Sequence, residues 1–232
     1  MTDPITVGVV SRLFRDCSTV IFDFDGVLAD SEKFHYLAYS EIFARYGHTI
    51  DESEYYRYWT SLGQGARGEI ERHALALDPV RIKNEKNPIF SQYCRDGSIR
   101  LFDEAVAMIR CAKVAGKNLT IASGSTRADI EAILANNNAL DYFSKIVGSD
   151  TVPTIKPAPD IFLAILDATG SNASACLVFE DAEKGVRAAR TAGIPVVVVR
   201  TRETRAFDFS EADAVVDSHA ELAQILEATC GG

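Results

Sequence analysis

Short runs of β-branched and apolar residues recur along this chain, and they do not alternate with polar ones. Val196–Val199 is the purest case. A strand that is apolar on both faces is covered on both faces, which is the condition of a parallel sheet between two helical layers. Six such runs are predicted as strands: Thr19–Phe22, Leu119–Ala122, Lys145–Val147, Leu177–Phe179, Pro195–Val199 and Ala214–Val216. Amphipathic stretches between and after them read as helices: Asp103–Ala115, Arg127–Asn136, Pro159–Thr169, Glu183–Ala192 and Ala220–Ala228. Gly116 and Gly193 each stand between a helical pattern and a strand, where a left-handed cap is expected. Strand–helix–strand repetition with short links predicts right-handed crossovers in an α/β, Rossmann-like parallel-sheet core.

One block breaks this rhythm. From about Glu32 to Ile99 no strand is evident, only helical pattern carrying Tyr36, Leu37, Ile42, Phe43, Ile70, Leu75 and Leu77. Asn87-Pro88 is expected to interrupt its last helix. Residues 1–31 and 100–232 are therefore expected to form the core, and residues 32–99 an inserted α-helical unit. With 232 residues, one domain carrying an insertion is the expected scale.

Composition narrows the chemistry. The net charge of −9 argues against nucleic-acid and anionic-membrane partners, which need a basic face. A small anionic ligand stays open if a cation assists. The five cysteines are scattered with no Cys-x-x-Cys pair and read as buried free thiols of a reducing compartment. Ile5–Val10 is too short for a signal-peptide core, no run approaches a membrane span, and a cytoplasmic location is expected.

The strongest local signal is Val20-Ile21-Phe22-Asp23-Phe24-Asp25-Gly26, an apolar strand running into two aspartates and a turn glycine. Ligands of open parallel sheets bind beyond the carboxyl ends of the strands. A capping role explains one of these aspartates easily and two poorly. Three further strand ends or following loops supply matching groups. Ser123-Gly124-Ser125 offers a hydroxyl and free N–H groups before a helix, a seat for phosphate. Lys156 precedes two prolines that rigidify a helix entry. Glu180-Asp181 places adjacent carboxylates that repel unless a cation joins them. Oxygen ligands of this kind suit Mg2+. The sequence shows no His/Cys cluster suited to zinc, no phosphate-binding P-loop and no dinucleotide fingerprint.

Asp23-Phe24-Asp25-Gly26-Val27, Ser123, Lys156 and Glu180-Asp181, in this order, resemble the haloacid dehalogenase superfamily in its Mg2+-dependent phosphohydrolase branch. The resemblance spans roughly Thr19 to Val216. The stretches from Lys156 to Phe162 and from Phe179 to Val186 resemble the β-phosphoglucomutase-like and phosphoglycolate phosphatase-like group. That resemblance implies a Rossmann-like core with a helical cap. It further implies Asp23 as nucleophile forming an aspartyl-phosphate and Asp25 as acid and base. Asp23, Asp181 and the Asp25 main-chain carbonyl would hold Mg2+, with Glu180 a ligand or a neighbour to one. Lys156, Ser123 and Gly124 would hold the phosphoryl oxygens, and Ser125 lies in the same binding loop.

Asp25 argues against the dehalogenase and phosphonate-cleaving relatives, which lack this acid. Phosphoryl transfer to water or to a sugar remains. His35 lies where sugar-phosphate mutases carry a histidine, as related phosphatases often do. Leu62-Gly63-Gln64-Gly65-Ala66-Arg67 keeps the arginine of the mutases' cap loop, Arg67, but lacks its lysine. A mutase must hold two phosphates, so a phosphatase of a small phosphorylated metabolite, a sugar phosphate, is the first expectation. A β-phosphoglucomutase-like mutase and a non-catalytic phosphate-ligand-binding regulator are the alternatives. A monomer is the default. Tyr55, Tyr56, Tyr58 and Trp59 read as the core of the inserted unit, and Arg200, Arg202 and Arg205 as a solvated loop.

Overall fold

The computed structural model describes residues 3–61, 64–202, 204–205 and 207–231. Its sheet is parallel throughout, in the order β3-β2-β1-β4-β5-β6, with β1 Thr19–Phe22, β2 Asn118–Ala122, β3 Lys145–Val147, β4 Cys176–Glu180, β5 Val196–Val199 and β6 Ala214–Val216. Every residue of β1, β4 and β5 is buried, as their unalternating apolar runs require. The expected strands match to within a residue at each end. The helices α6 Asp103–Val114, α7 Arg127–Asn136, α8 Asp160–Thr169, α9 Glu183–Thr191 and α10 His219–Cys230 cover the two faces. Gly116 and Gly193 adopt φ of 72° and 74°, the left-handed geometry expected of them.

The strand order reverses between β1 and β4. β1 feeds chain to its left through β2 and β3, and β4 feeds it to its right, so the connections part and leave a crevice above these two strand ends. Asp23 leaves β1 there, and Glu180 ends β4.

Between β1 and β2 the chain builds α2 Glu32–Arg45, a short turn α3 Glu52–Glu54, a π-helical segment Tyr55–Ser61, α4 Gly65–Arg72 and α5 Pro79–Arg95. Ile42, Phe43, Ile50, Tyr55, Trp59, Ile70 and Ile82 form a hydrophobic cluster of their own. The block is also sewn to the sheet side through Ala38, Phe90 and Cys94, which belong to the main core. Its two ends meet: the Asp30 N–H donates to the Arg100 carbonyl, the Phe102 N–H donates to the Leu28 carbonyl, and Ala29 bridges Leu101.

Two expectations need correction, for Asn87-Pro88 and for the cysteines. Asn87-Pro88 does not interrupt a helix, because α5 runs through Pro88. The Asp78 side chain caps it, Pro79 starts it, and Ile82, Phe90 and Cys94 are buried at helical spacing; this packing outweighs the roughly 3 kcal/mol that an internal proline costs. Ile5–Val10 lies in a helix, α1 Pro4–Asp16, capped by Asp3 and packed through Val10 and Phe14. The cysteines are not all free thiols. Packing of α6 against α10 brings Cys111 and Cys230 to a Cα separation of 6.4 Å, and they are joined as a disulfide. Cys17, Cys94 and Cys176 are free and buried, and burial raises each thiol above its ordinary pKa. Among the described residues, no helix is long and apolar enough to cross a membrane.

Candidate active site

Lys156 is the organising charge. Its ammonium group donates to Asp23 Oδ1 at 2.6 Å, to Glu180 Oε1 at 2.5 Å and to the Ala122 carbonyl at 2.9 Å. All three groups stand at strand ends, of β1, β4 and β2. Burial alone would favour the neutral amine, but Asp23 and Glu180 outweigh it and hold the lysine above its ordinary pKa. Glu180 is fully engaged, since Oε2 accepts the N–H groups of Asp181 and Ala182. It holds Lys156 in place and leaves Asp181 to face the cleft. The close packing of Glu180 explains Gly185, where an added Cβ would fall 1.5 Å from Glu180 Oε1.

One lysine does not balance three carboxylates. Burial first, then Glu180, pushes Asp181 well above the ordinary carboxylate range, and burial with Glu180 and Asp25 pushes Asp23 in the same direction against the pull of Lys156. Ligand oxygens of Asp23, Glu180 and Asp181 lie within 4.8 Å of one another. An all-oxygen set this short of positive charge fits a hard divalent cation such as Mg2+. Gly26 is part of the fit. It has φ of 80°, and a Cβ on it would meet Asp181 Oδ2 at 2.2 Å, so only glycine lets the chain after Asp25 turn this close to Asp181.

Asp25 sits in a different setting. Ser31 donates to its Oδ1 at 2.6 Å, while Ser125 at 2.6 Å and Ser123 at 3.1 Å donate to Oδ2. His35 Nε2 lies 3.8 Å from Oδ1. Burial would raise this carboxyl, but His35 and the serine hydroxyls overcome it and hold Asp25 below its ordinary pKa. Two aspartates two residues apart are thus driven in opposite directions, the usual sign of divided acid–base labour.

The structure brings together Asp23, Asp25, Ser123, Ser125, Lys156, Glu180, Asp181 and His35. Gly124 is exposed beside Ser123, with open space where a Cβ would stand. Arg67 is not drawn in: it is exposed on α4. Leu62 and Gly63 of the same stretch lie outside the described residues. A cavity of about 360 Å3 opens beside Asp25 and Asp181, and Arg200, Arg202 and Arg205 line it together with Tyr56. The expectation of a merely solvated arginine loop is therefore incomplete, and so is that of a purely internal role for Tyr56.

Two contacts have no signal in the sequence. Lys86 of α5 is buried and contacts His35 Nδ1 at 2.7 Å, while Phe90 stacks on the imidazole at 3.8 Å. Burial lowers Lys86 to about 8. His219, first residue of α10, brings Nε2 to 2.9 Å from the Gly26 carbonyl and packs on Phe102. Both pairs join segments far apart in the chain.

The family model for haloacid dehalogenase-like hydrolases matches residues 20–199, a span that holds every one of these strand-end groups. The chain belongs to that family. Protein CbbY of Rhodobacter capsulatus is 34% identical over 210 residues, covering 85% of this chain and 92% of that protein. Fructose-1-phosphate phosphatase YqaB of Escherichia coli is 32% identical over 191 residues, covering 81% and 99%. Among solved structures, CbbY of Rhodobacter sphaeroides in complex with phosphate is 30% identical with a TM-score of 0.75, covering 91% of this chain and 99% of that one. A variant of the same protein in complex with xylulose-1,5-bisphosphate matches equally well at 30% and 0.75, covering 88% and 96%.

Proposed function

We propose that this hydrolase is a Mg2+-dependent phosphatase of a small sugar phosphate, working through an aspartyl-phosphate on Asp23. The observation that carries the reading is the opposed setting of the two aspartates over one buried lysine. Asp23 is gripped by Lys156 at the reversal point of the sheet, and Asp25 is held by three serines and faced by His35.

In this reading the Asp23 carboxylate attacks phosphorus, which splits one hard displacement into two. Lys156, Ser123 and the Gly124 N–H neutralise and orient the phosphoryl oxygens. Asp23, Asp181 and the Asp25 carbonyl hold Mg2+, which when bound supplies the positive charge that lets a carboxylate approach a phosphate dianion. Glu180 keeps Lys156 and the Asp181 backbone in register instead of ligating the metal, because both its oxygens are taken. Asp25 delivers a proton to the leaving oxygen and then takes one from the attacking water. Its depressed pKa favours the ionised form that the second step needs, and His35 on Lys86 is the neighbouring imidazole positioned to adjust it.

The helical block, residues 32–99, acts as the cap that selects substrate. A sugar phosphate is favoured by the relatives, one named as a fructose-1-phosphate phosphatase and one solved with xylulose-1,5-bisphosphate. Hydrolysis is favoured over isomerisation because Arg67, the one cationic residue kept from the mutases' loop, is exposed and lies off the cavity.

A phosphate-release screen over sugar phosphates with Mg2+, run beside a glucose 1-phosphate to glucose 6-phosphate assay, tests the proposal. Free phosphate from a sugar phosphate, lost on chelation, is the expected result. Isomerisation that needs a bisphosphate activator and releases little phosphate would establish the mutase instead.

A further inference from the structure

The helical block carries a second convergence of ligand-type side chains, far in sequence from the strand ends. Glu69 lies on α4 with its side chain 1% exposed, His73 follows one turn on, and His48 comes from the loop after α2. Residues four apart on a helix share a face, and His48 approaches that face from outside. His48 Nε2 stands 2.7 Å and His73 Nε2 3.5 Å from the same atom, Oε1 of Glu69. Glu54 Oε2 lies 3.6 Å from His73 Nε2. The three ligand atoms of His48, Glu69 and His73 all fall within 4.8 Å of one another.

These spacings are close to those of a coordination shell. Metal–ligand bonds of about 2.0–2.1 Å in a tetrahedron put neighbouring ligand atoms about 3.3 Å apart. The other face of the Glu69 carboxylate is already fixed. Its Oε2 accepts Trp59 Nε1 at 3.0 Å and pairs with Arg72, and the Arg72 guanidinium stacks over Tyr58 at 4.0 Å. One oxygen is anchored and the other is presented to two imidazoles, as outer groups orient a ligating carboxylate. A simple hydrogen-bonded network would need one imidazole on Oε1. The second, His73, faces Glu69 and Glu54 at 3.5 and 3.6 Å without closing on either.

We propose that His48, Glu69 and His73 form a three-ligand site for a Zn2+-class divalent cation, with water completing the shell. Two imidazoles and a carboxylate select such a borderline ion over Mg2+, which prefers oxygen. His73 is 38% exposed and gives the ion a path in from solvent. Coordination uses the Nε2 lone pairs, so the proton on His48 Nε2 leaves to solvent as the ion binds. The site joins the loop after α2 to α4 and is independent of the chemistry at Asp23.

Isothermal titration of the whole, chelator-stripped protein with Zn2+, in buffer that keeps millimolar Mg2+ present, tests this. One Zn2+ per chain is expected. His73→Ala and His48→Ala should each weaken it by at least about tenfold, whereas Asp181→Asn should leave it unchanged. His73 is exposed enough for its alanine variant to keep the fold, which circular dichroism of the metal-free protein checks. Absence of Zn2+ uptake in the presence of Mg2+ would overturn the assignment. So would uptake that Asp181→Asn removes and His73→Ala spares.

Discussion

The carboxyl edge of the sheet and the interior of the helical block both bury charged groups, but they hold them differently. At the sheet edge, Asp23, Lys156 and Glu180 sit on or beside parallel strands whose every neighbour is fixed by backbone ladders. In the block, Glu69 is buried among rings, with Trp59 and His48 donating to it and Arg72 paired to it. The balance of charge differs too. Burial drives Asp23 and Asp181 upward, whereas His48, Trp59 and Arg72 overcome the desolvation of Glu69 and hold its carboxyl down. An excess of buried negative charge on a rigid frame marks the place where a cation and an anionic substrate complete the structure. A carboxylate with one oxygen anchored by Trp59 and Arg72 and the other facing two imidazoles carries no such excess, so a cation there displaces a proton instead of filling a deficit of charge.

This contrast can be broken by experiment. Asp23→Asn should have the largest effect, cutting turnover by about 10^4-fold or more while leaving the circular dichroism spectrum unchanged, because it removes the proposed nucleophile and little packing. Turnover like that of the parent would remove the sheet edge from the chemistry. The next test adds one methyl group there. Gly26→Ala forces a Cβ to within 2.2 Å of Asp181 Oδ2 at a φ of 80°, so kcat should fall by about 100-fold; an unchanged rate would mean that the edge is softer than its ladders suggest. The smallest effect should come from removing one methyl group in the block. Ile42→Val, at a fully buried position, should cost about 1 kcal/mol in urea unfolding with kcat unaltered. A large loss of kcat there would show that the block's packing is not separable from the site.

The same contrast governs what could be read from the chain. At the sheet edge, most of the candidate side chains lie next to an apolar run that announces its strand, so Asp23, Asp25, Ser123 and Glu180-Asp181 could be found by looking at strand ends. Lys156 carries only a weak mark in the prolines after it, and it gains weight from the other strand-end groups taken with it. The job of Glu180 was not legible, because adjacent acids reveal a need for positive charge but not which of them meets a lysine. Partners within the block carry no such marker. His35 and Lys86 are separated by 51 residues, and His48 and Glu69 by 21, so only the packing of α2, α4 and α5 brings them together. For the same reason Pro88 misleads about α5, whose buried face is set by tertiary contacts that local propensity does not contain. The disulfide of Cys111 and Cys230 spans 119 residues and depends on α6 lying along α10.

The pairing of Asp30 with Arg100 and of Leu28 with Phe102 makes the whole block, from the sheet's point of view, one closed loop with its ends tied. Lengthening such a loop costs little, about 0.6 kcal/mol for each doubling of a flexible one. The ladders that pair β1 with β2 and β4 use strand backbone alone, while Ala38, Phe90 and Cys94 tie the block to the core beneath it. The proposed cap can therefore be rebuilt, with helices exchanged or changed in number, at little cost in loop closure so long as those core contacts are kept. The tie at residues 28–30 and 100–102 is what would let one set of carboxylates serve under different caps.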